Sequence, residues 1–170
     1  MTRFALVFAA LLAVLFGAEL TAPVQHAIVV PWTEALARAT AGIVTLFDGN
    51  VASQGRVLYA KSSGFSISIE SGCNGVEAAL ILIAAMVAFR APIRSKAIGI
   101  VAGIVAVQLL NLVRLVSLFY LGQWSPAAFE WAHLYVWQAL IMLDVLIVWL
   151  VWLRTLPPPE PEPEAGPLPA

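Results

Sequence analysis

The chain has 170 residues, 61% of them apolar and 11% charged, with a mean hydropathy of +0.91. A soluble domain of this size cannot cover so much apolar surface, so the class is integral membrane. The net charge of −1 argues against nucleic acid as a partner, and a lone cysteine, Cys73, excludes an intramolecular disulfide.

Crossing a bilayer takes about 20 apolar residues. Residues 4–20, 76–89, 97–121 and 134–153 qualify, the second only when its start is taken back to Cys73. The first segment follows a short basic start, Met1-Thr2-Arg3, which also suits a signal peptide. No small-x-small site follows, and Pro23 sits where cleavage would fall, so the segment is expected to stay as an anchor.

Pro31 opens a stretch with Trp32, Leu36, Ala39, Ile43 and Leu46 on one stripe, while Glu34, Arg38 and Thr45 lie off it. This spacing predicts an amphipathic helix on the outer membrane surface, or one capping the bundle as a plain lid. Residues 56–61 are strand-like, Ser62-Ser63-Gly64 is turn-like, and residues 65–70 alternate strictly. The resulting β-hairpin delivers the chain to Ser71-Gly72-Cys73. After Arg154, prolines and glutamates alternate over residues 157–163, a composition that cannot pack and predicts a disordered tail.

The fold class is therefore all-α integral membrane, with about four transmembrane helices, a short extracytoplasmic amphipathic helix and a β-hairpin. The expected divisions are an anchor (1–22), an extracytoplasmic helix and hairpin (23–72), a three-helix core (73–154) and a cytoplasmic tail (155–170). Arg3, Arg90, Arg94, Lys96 and Arg154 all fall on one side of such an arrangement, which makes that side cytoplasmic. Residues 23–72 and the 122–131 loop then lie outside, and both termini inside.

Depth can be counted from the basic residues at about 1.5 Å per helical residue. Arg90 to Cys73 gives roughly 25 Å, Lys96 to Arg114 roughly 27 Å and Arg154 to His133 roughly 31 Å. All three reach the outer edge of a hydrocarbon core about 30 Å thick. Independent helices have no reason to agree in this way.

Each residue has a plain alternative. Cys73 can be a small apolar filler, Arg114 can snorkel to the interface, and His133 can belong to an aromatic belt with Trp131, Tyr135 and Trp137. Against these readings, Gly72, Asn74 and Gly75 flank Cys73 and let backbone or substrate approach, and a helix start favours thiolate. Asn111, one turn from Arg114, suggests that this face looks into the bundle. Glu77 shares the face of Cys73 and is expected to orient Arg114. Gln108, Gln138 and Asp144 read as interhelical hydrogen-bond glue, and His26 as a surface residue. No metal site or cofactor is expected.

The run Ser71-Gly72-Cys73-Asn74-Gly75-Val76-Glu77-Ala78, then Asn111-Leu112-Val113-Arg114, then His133, resembles the exosortase/archaeosortase family. The short chain and the Cys-Asn-Gly-Val-Glu-Ala wording are most similar to exosortase H, although other exosortases commonly have Cys-Ser-Gly. The resemblance covers about residues 56–153. It implies a membrane-embedded thiol transpeptidase or protease of the bacterial inner membrane, with its active site on the extracytoplasmic side. Cys73 would be the nucleophile, Arg114 the stabiliser of thiolate or transition state, and His133 the general acid and base. The implied partners are exported proteins with a C-terminal signal: a short motif beginning Ile-Pro-Thr-Leu, a transmembrane helix and a basic cluster. Membrane lipids surround the enzyme. The competing expectation is a non-enzymatic assembly factor, in which Arg114, Glu77 and Asp144 form a structural ion network and Cys73 is incidental.

Overall fold

A computed structural model of the chain describes residues 2–156; the residues expected to form the tail beyond them lie outside the described part. The helices are α1 (Thr2–Glu19), α2 (Ala22–Thr45), α3 (Val76–Ala88), α4 (Ile93–Trp124) and α5 (Pro126–Arg154). Strands β1 (Val51–Gln54), β2 (Val57–Ala60) and β3 (Ser66–Ser68) form an antiparallel sheet in the order β1-β2-β3.

By length and apolarity alone, α1, α2, α4 and α5 are each able to cross a membrane, whereas α3 has only 13 residues, about 20 Å. Packing gives a different grouping. Helix α1 lies along α3, and α3 lies along both α4 and α5, so these four make the bundle. Helix α2 packs instead on β1, β2 and the far half of α4, beside the sheet and off the bundle. The short α3 is thus central, and the longer α2 peripheral.

The face that α2 buries differs from the expected stripe. Thr33, Leu36, Ala37, Thr40, Ala41 and Val44 turn inward, while Ile43 and Leu46 are exposed and Trp32 is 38% exposed. Small side chains let the helix sit close on the sheet, and the large apolar ones are left exposed on its other face. Pro31 withholds a main-chain donor in mid-helix, and a π-helical turn at Gln25–Val29 lies just before it.

The hairpin exists, but its strands are shorter than the alternation implies and a third strand precedes it. Val57 pairs with Ser68, Leu58 with Ile67 and Tyr59 with Ser66. Strand β1 joins β2 through a tight turn at Gly55-Arg56, with Gln54 opposite Val57. The expected 122–131 loop is also absent. Helix α4 runs to Trp124, Ser125 breaks it, and α5 starts at once, with Pro126 at its first turn and Ser125 Oγ accepting the Ala128 N–H at 3.3 Å. Serine followed by proline is a helix start, and it was the helix-forming residues after it that looked like loop.

Two apolar clusters hold the molecule. Leu82, Met86, Val107, Ile141, Val145 and Trp152 fill the bundle. Leu36, Val44, Leu58, Ile69, Leu115 and Phe119 join α2, the sheet and α4, with Cys73 packed against them. Inside the bundle, Gly103 allows α4 to approach Leu82 and Val148 closely, the small-residue device by which membrane helices associate. Arg3, Arg90 and Lys96 line a cavity at one end of the bundle, while Cys73 lies at the other.

Gly103→Val should therefore destabilise the α3–α4–α5 contact by about 1–3 kcal/mol through overpacking. Gly17→Ala, where an added methyl meets nothing within 4 Å, should be neutral or slightly stabilising. Thermal unfolding of the detergent-solubilised proteins, monitored by circular dichroism, compares the two.

Candidate active site

The approach to Cys73 is a loop that only glycine can make. Gly72 has φ +84° and Gly75 φ +72°, both in the left-handed region that side chains disfavour. Gly75 additionally faces the Gln108 amide, where a Cβ would lie 2.7 Å from Nε2. Between them Asn74 is 1% exposed. Its Oδ1 accepts the Val76 N–H at 3.0 Å, satisfying a donor at the start of α3, and its Nδ2 donates to Thr33 Oγ1 at 3.1 Å. Trp32 Nε1 donates to the Asn74 carbonyl at 3.3 Å. Helix α2 therefore grips the loop that carries the thiol, which is more than a lid does.

Arg114 comes from α4, is 2% exposed, and reaches this loop from below. Its Nη1 donates to the Gly72 carbonyl at 3.2 Å and its Nη2 to Cys73 Sγ at 3.4 Å. No carboxylate among the described residues pairs with it: the ion pairs are Arg38–Glu34 and Arg56–Glu70. Its Nε is buried without a hydrogen-bond partner among the described residues. A guanidinium so placed is buried without an ion-pair partner within 4.0 Å among the described residues.

His133 closes the site. A π-helical turn at Ala132–Val136 carries it, and such turns re-aim side chains by one extra residue. His133 Nε2 stands 2.9 Å from Cys73 Sγ, and its ring lies 5.5 Å from that of Phe129. No described carboxylate hydrogen-bonds this ring. Imidazole and guanidinium thus meet at the one sulfur; the depth count gave a common level and not this contact.

Other assignments change. Glu77 does not orient Arg114; its Oε1 accepts the Gly72 N–H at 2.5 Å, so it fixes the loop, and Arg114 is fixed by the same residue's carbonyl. Asn111 is fully buried, donates to Gln108 Oε1 at 3.5 Å and leaves its own Oδ1 unpartnered. Among the described residues Gln138 is exposed and joins no interhelical bond, Asp144 Oδ2 is buried without a partner, and His26 is exposed. The Arg114–Glu77–Asp144 network that an assembly factor would need is not formed. The described residues contain no group of three His, Cys, Asp or Glu that could hold a metal ion.

Trp32 and Thr33 are the residues that sequence reasoning missed. Trp32 falls on the apolar stripe of an expected surface or capping helix, and the only signal for Thr33 is its spacing to Thr40 on a stripe of small residues.

Cys73 lies in the loop ahead of α3, so the start of a helix does little for it. Burial pushes its thiol up from the ordinary range; Arg114 opposes this, and Glu77 and Glu70 add to it. The resting sulfur is therefore a protonated thiol hydrogen-bonded to imidazole. Its alkylation by iodoacetamide should have a midpoint above that of an ordinary thiol. Removing the opposing cation in Arg114→Gln should move that midpoint higher still and slow alkylation at neutral pH. Rates measured across pH on membranes check both signs, and a faster Arg114→Gln reaction would contradict the electrostatic assignment.

The family model for transmembrane exosortase (Exosortase_EpsH) matches residues 1–153, and the chain belongs to that family. No curated protein and no solved structure matches it.

Proposed function

We propose that this member of the exosortase family is a membrane-embedded cysteine transpeptidase or protease that cleaves C-terminal sorting signals of exported proteins. Family membership supports the coarser statement, a multi-pass membrane protein of the sorting-transpeptidase class acting on exported substrates. The observation that carries the finer reading is the sulfur of Cys73, held 2.9 Å from His133 Nε2 and 3.4 Å from a buried Arg114 Nη2 that has no carboxylate partner.

The chemistry follows from that geometry. As Sγ attacks the carbonyl carbon of the scissile peptide bond, its proton passes to His133 Nε2. Negative charge moves from sulfur to the carbonyl oxygen, and the Arg114 fork, already aimed at the sulfur, stabilises it at either atom. Collapse of the tetrahedral intermediate breaks the C–N bond, and the amine leaves with the proton from His133. A thioester on Cys73 remains. Water or an acceptor nucleophile then attacks the thioester, giving its proton to the imidazole and returning the thiol. A protonated resting thiol suits this scheme, because the base acts only as the nucleophile forms its bond.

The site belongs on the extracytoplasmic face of the bacterial inner membrane. The cavity lined by Arg3, Arg90 and Lys96 at the opposite end of the bundle is the positive, cytoplasmic side on this reading. The wording around Cys73 favours signals that begin Ile-Pro-Thr-Leu, followed by a membrane helix.

Cys73→Ala should abolish processing of a co-expressed substrate carrying such a signal, since no other thiol exists. Arg114→Lys should lose about 100-fold, because a point charge cannot serve sulfur and oxyanion together. His133→Ala should lose about 100- to 10,000-fold, the range of general acid–base catalysis. Immunoblots of substrate length, with insertion of each variant checked separately, read the result. Normal processing by Cys73→Ala would sink the enzyme reading, and by His133→Ala would return that residue to the aromatic belt. Reporter fusions after Lys61 should be active only with an extracytoplasmic reporter; a cytoplasmic signal would invert the proposed topology.

A further inference from the structure

The parity of the sheet leaves one edge open beside the thiol. Leu58 and Ile67 face each other, bracketed by the Ala60 N–H bonded to the Phe65 carbonyl at 2.9 Å and the Ile69 N–H bonded to the Arg56 carbonyl at 3.0 Å. Residues 65, 67 and 69 therefore direct their main-chain groups at β2. In an antiparallel ladder, the residues between them point the other way. Ser66 and Ser68 thus present N–H and C=O groups outward, and no described residue hydrogen-bonds them. The opposite edge, β1, is covered by α2.

Open edges are ordinarily blunted by lysine, proline or a bulge. This one carries two exposed serines, side chains small enough to let another backbone approach. It also ends at the reacting atom. Ile69 is buried in the cluster on which Cys73 packs, and the Cys73 N–H bonds the Glu70 carbonyl at 2.9 Å. The chain then passes straight into α3.

We propose that the open edge of β3 is the substrate-docking site, and that the segment preceding the substrate's membrane helix adds there as a fourth strand, parallel to β3. This rests on the function proposed above. The ligand class is an extended peptide held by main-chain hydrogen bonds, the mode known as β-augmentation. Direction follows from layout: β3 leads to the thiol and then to the apolar bundle helix α3, and a substrate built as an extended segment followed by a membrane helix takes the same path only if it runs alongside in the same sense. Its scissile bond then arrives at Cys73 as its helix enters the bilayer.

The test uses the full chain with Cys73→Ala, which blocks turnover and frees the only thiol position. Ser66→Cys or Ser68→Cys is co-expressed with an exported protein whose Ile-Pro-Thr-Leu segment carries single cysteines at successive positions, and the membranes are oxidised. Disulfide crosslinks are expected from both positions, with the Ser68→Cys partner lying C-terminal to the Ser66→Cys partner. Ser53→Cys on β1 should give none. In the Cys73 enzyme, Ser68→Pro removes an outward donor while leaving the β2 ladder intact. It should reduce processing by about tenfold or more, as loss of main-chain binding requires, with Cys73 alkylation little changed. Ser66→Pro replaces it if alkylation shows a disturbed site. No crosslink at 66 or 68 overturns the docking edge, and partners in reverse order overturn the parallel arrangement. Normal processing by Cys73→Ala would instead overturn the thiol reading beneath it, so the two failures are distinct.

Discussion

A buried guanidinium without an ion-pair partner among the described residues organises this molecule. Burying arginine within an apolar bundle costs several kcal/mol unless it is paired, and Arg114 is buried with only a carbonyl oxygen and a sulfur for partners among the described residues. The two contacts come from adjacent residues, Gly72 and Cys73, so the cation pins one short loop. Everything that shapes the loop serves this meeting: the left-handed glycines, the Glu77 carboxylate on the Gly72 N–H, and the Asn74 side chain reaching to α2. A cation left short of negative charge at rest is electrostatically matched to a state in which the sulfur, or an oxygen bonded beside it, becomes an anion.

The unequal helices are part of the same design. Helix α3 is short, so the loop at its start is drawn down to the level of Arg114 on α4. Helix α4 is 32 residues long, about 48 Å, and Arg114 lies well before its end. The surplus beyond Arg114 gives Leu115 and Phe119 to the cluster under the sheet. One helix thereby supplies both the charge within the site and the floor on which the sheet and α2 rest. Helix α2 returns that support by holding Asn74 through Trp32 and Thr33.

The site pairs a protonated thiol with an imidazole that no described carboxylate hydrogen-bonds. In sulfur nucleophiles that rest as thiolate, an exposed and electropositive setting lowers the thiol's pKa. Here burial outweighs Arg114 and keeps the proton on sulfur. A neutral thiol is less readily oxidised than a thiolate, so burial also protects the unpaired Cys73.

Depth was legible from residue order and lateral detail was not. Helical rise is nearly constant, so counting from Arg90, Lys96 and Arg154 located Cys73, Arg114 and His133 at one level, although α3 starts three residues later than that count assumed. Which side of each helix faces the others is a rotational matter, and small irregularities reset it. The π turn at Ala132–Val136 re-aims His133, and α2 buries the Thr33–Thr40 face in place of the Trp32–Ile43 stripe, because close contact with a sheet selects small residues over greasy ones. Strand β1 escaped notice because Val51-Ala52-Ser53-Gln54 has no clear alternation and exists through pairing with β2. By itself, then, the sequence determined the membrane class, the order of the helices and the axial position of the reactive groups, all of which depend on local composition and a fixed rise per residue. Only the tertiary structure decided that Glu77 serves Gly72 instead of Arg114, that Trp32 and Thr33 clamp the thiol loop, and that one edge of the sheet stays open. Those depend on contacts between segments far apart in the chain, which no local pattern encodes.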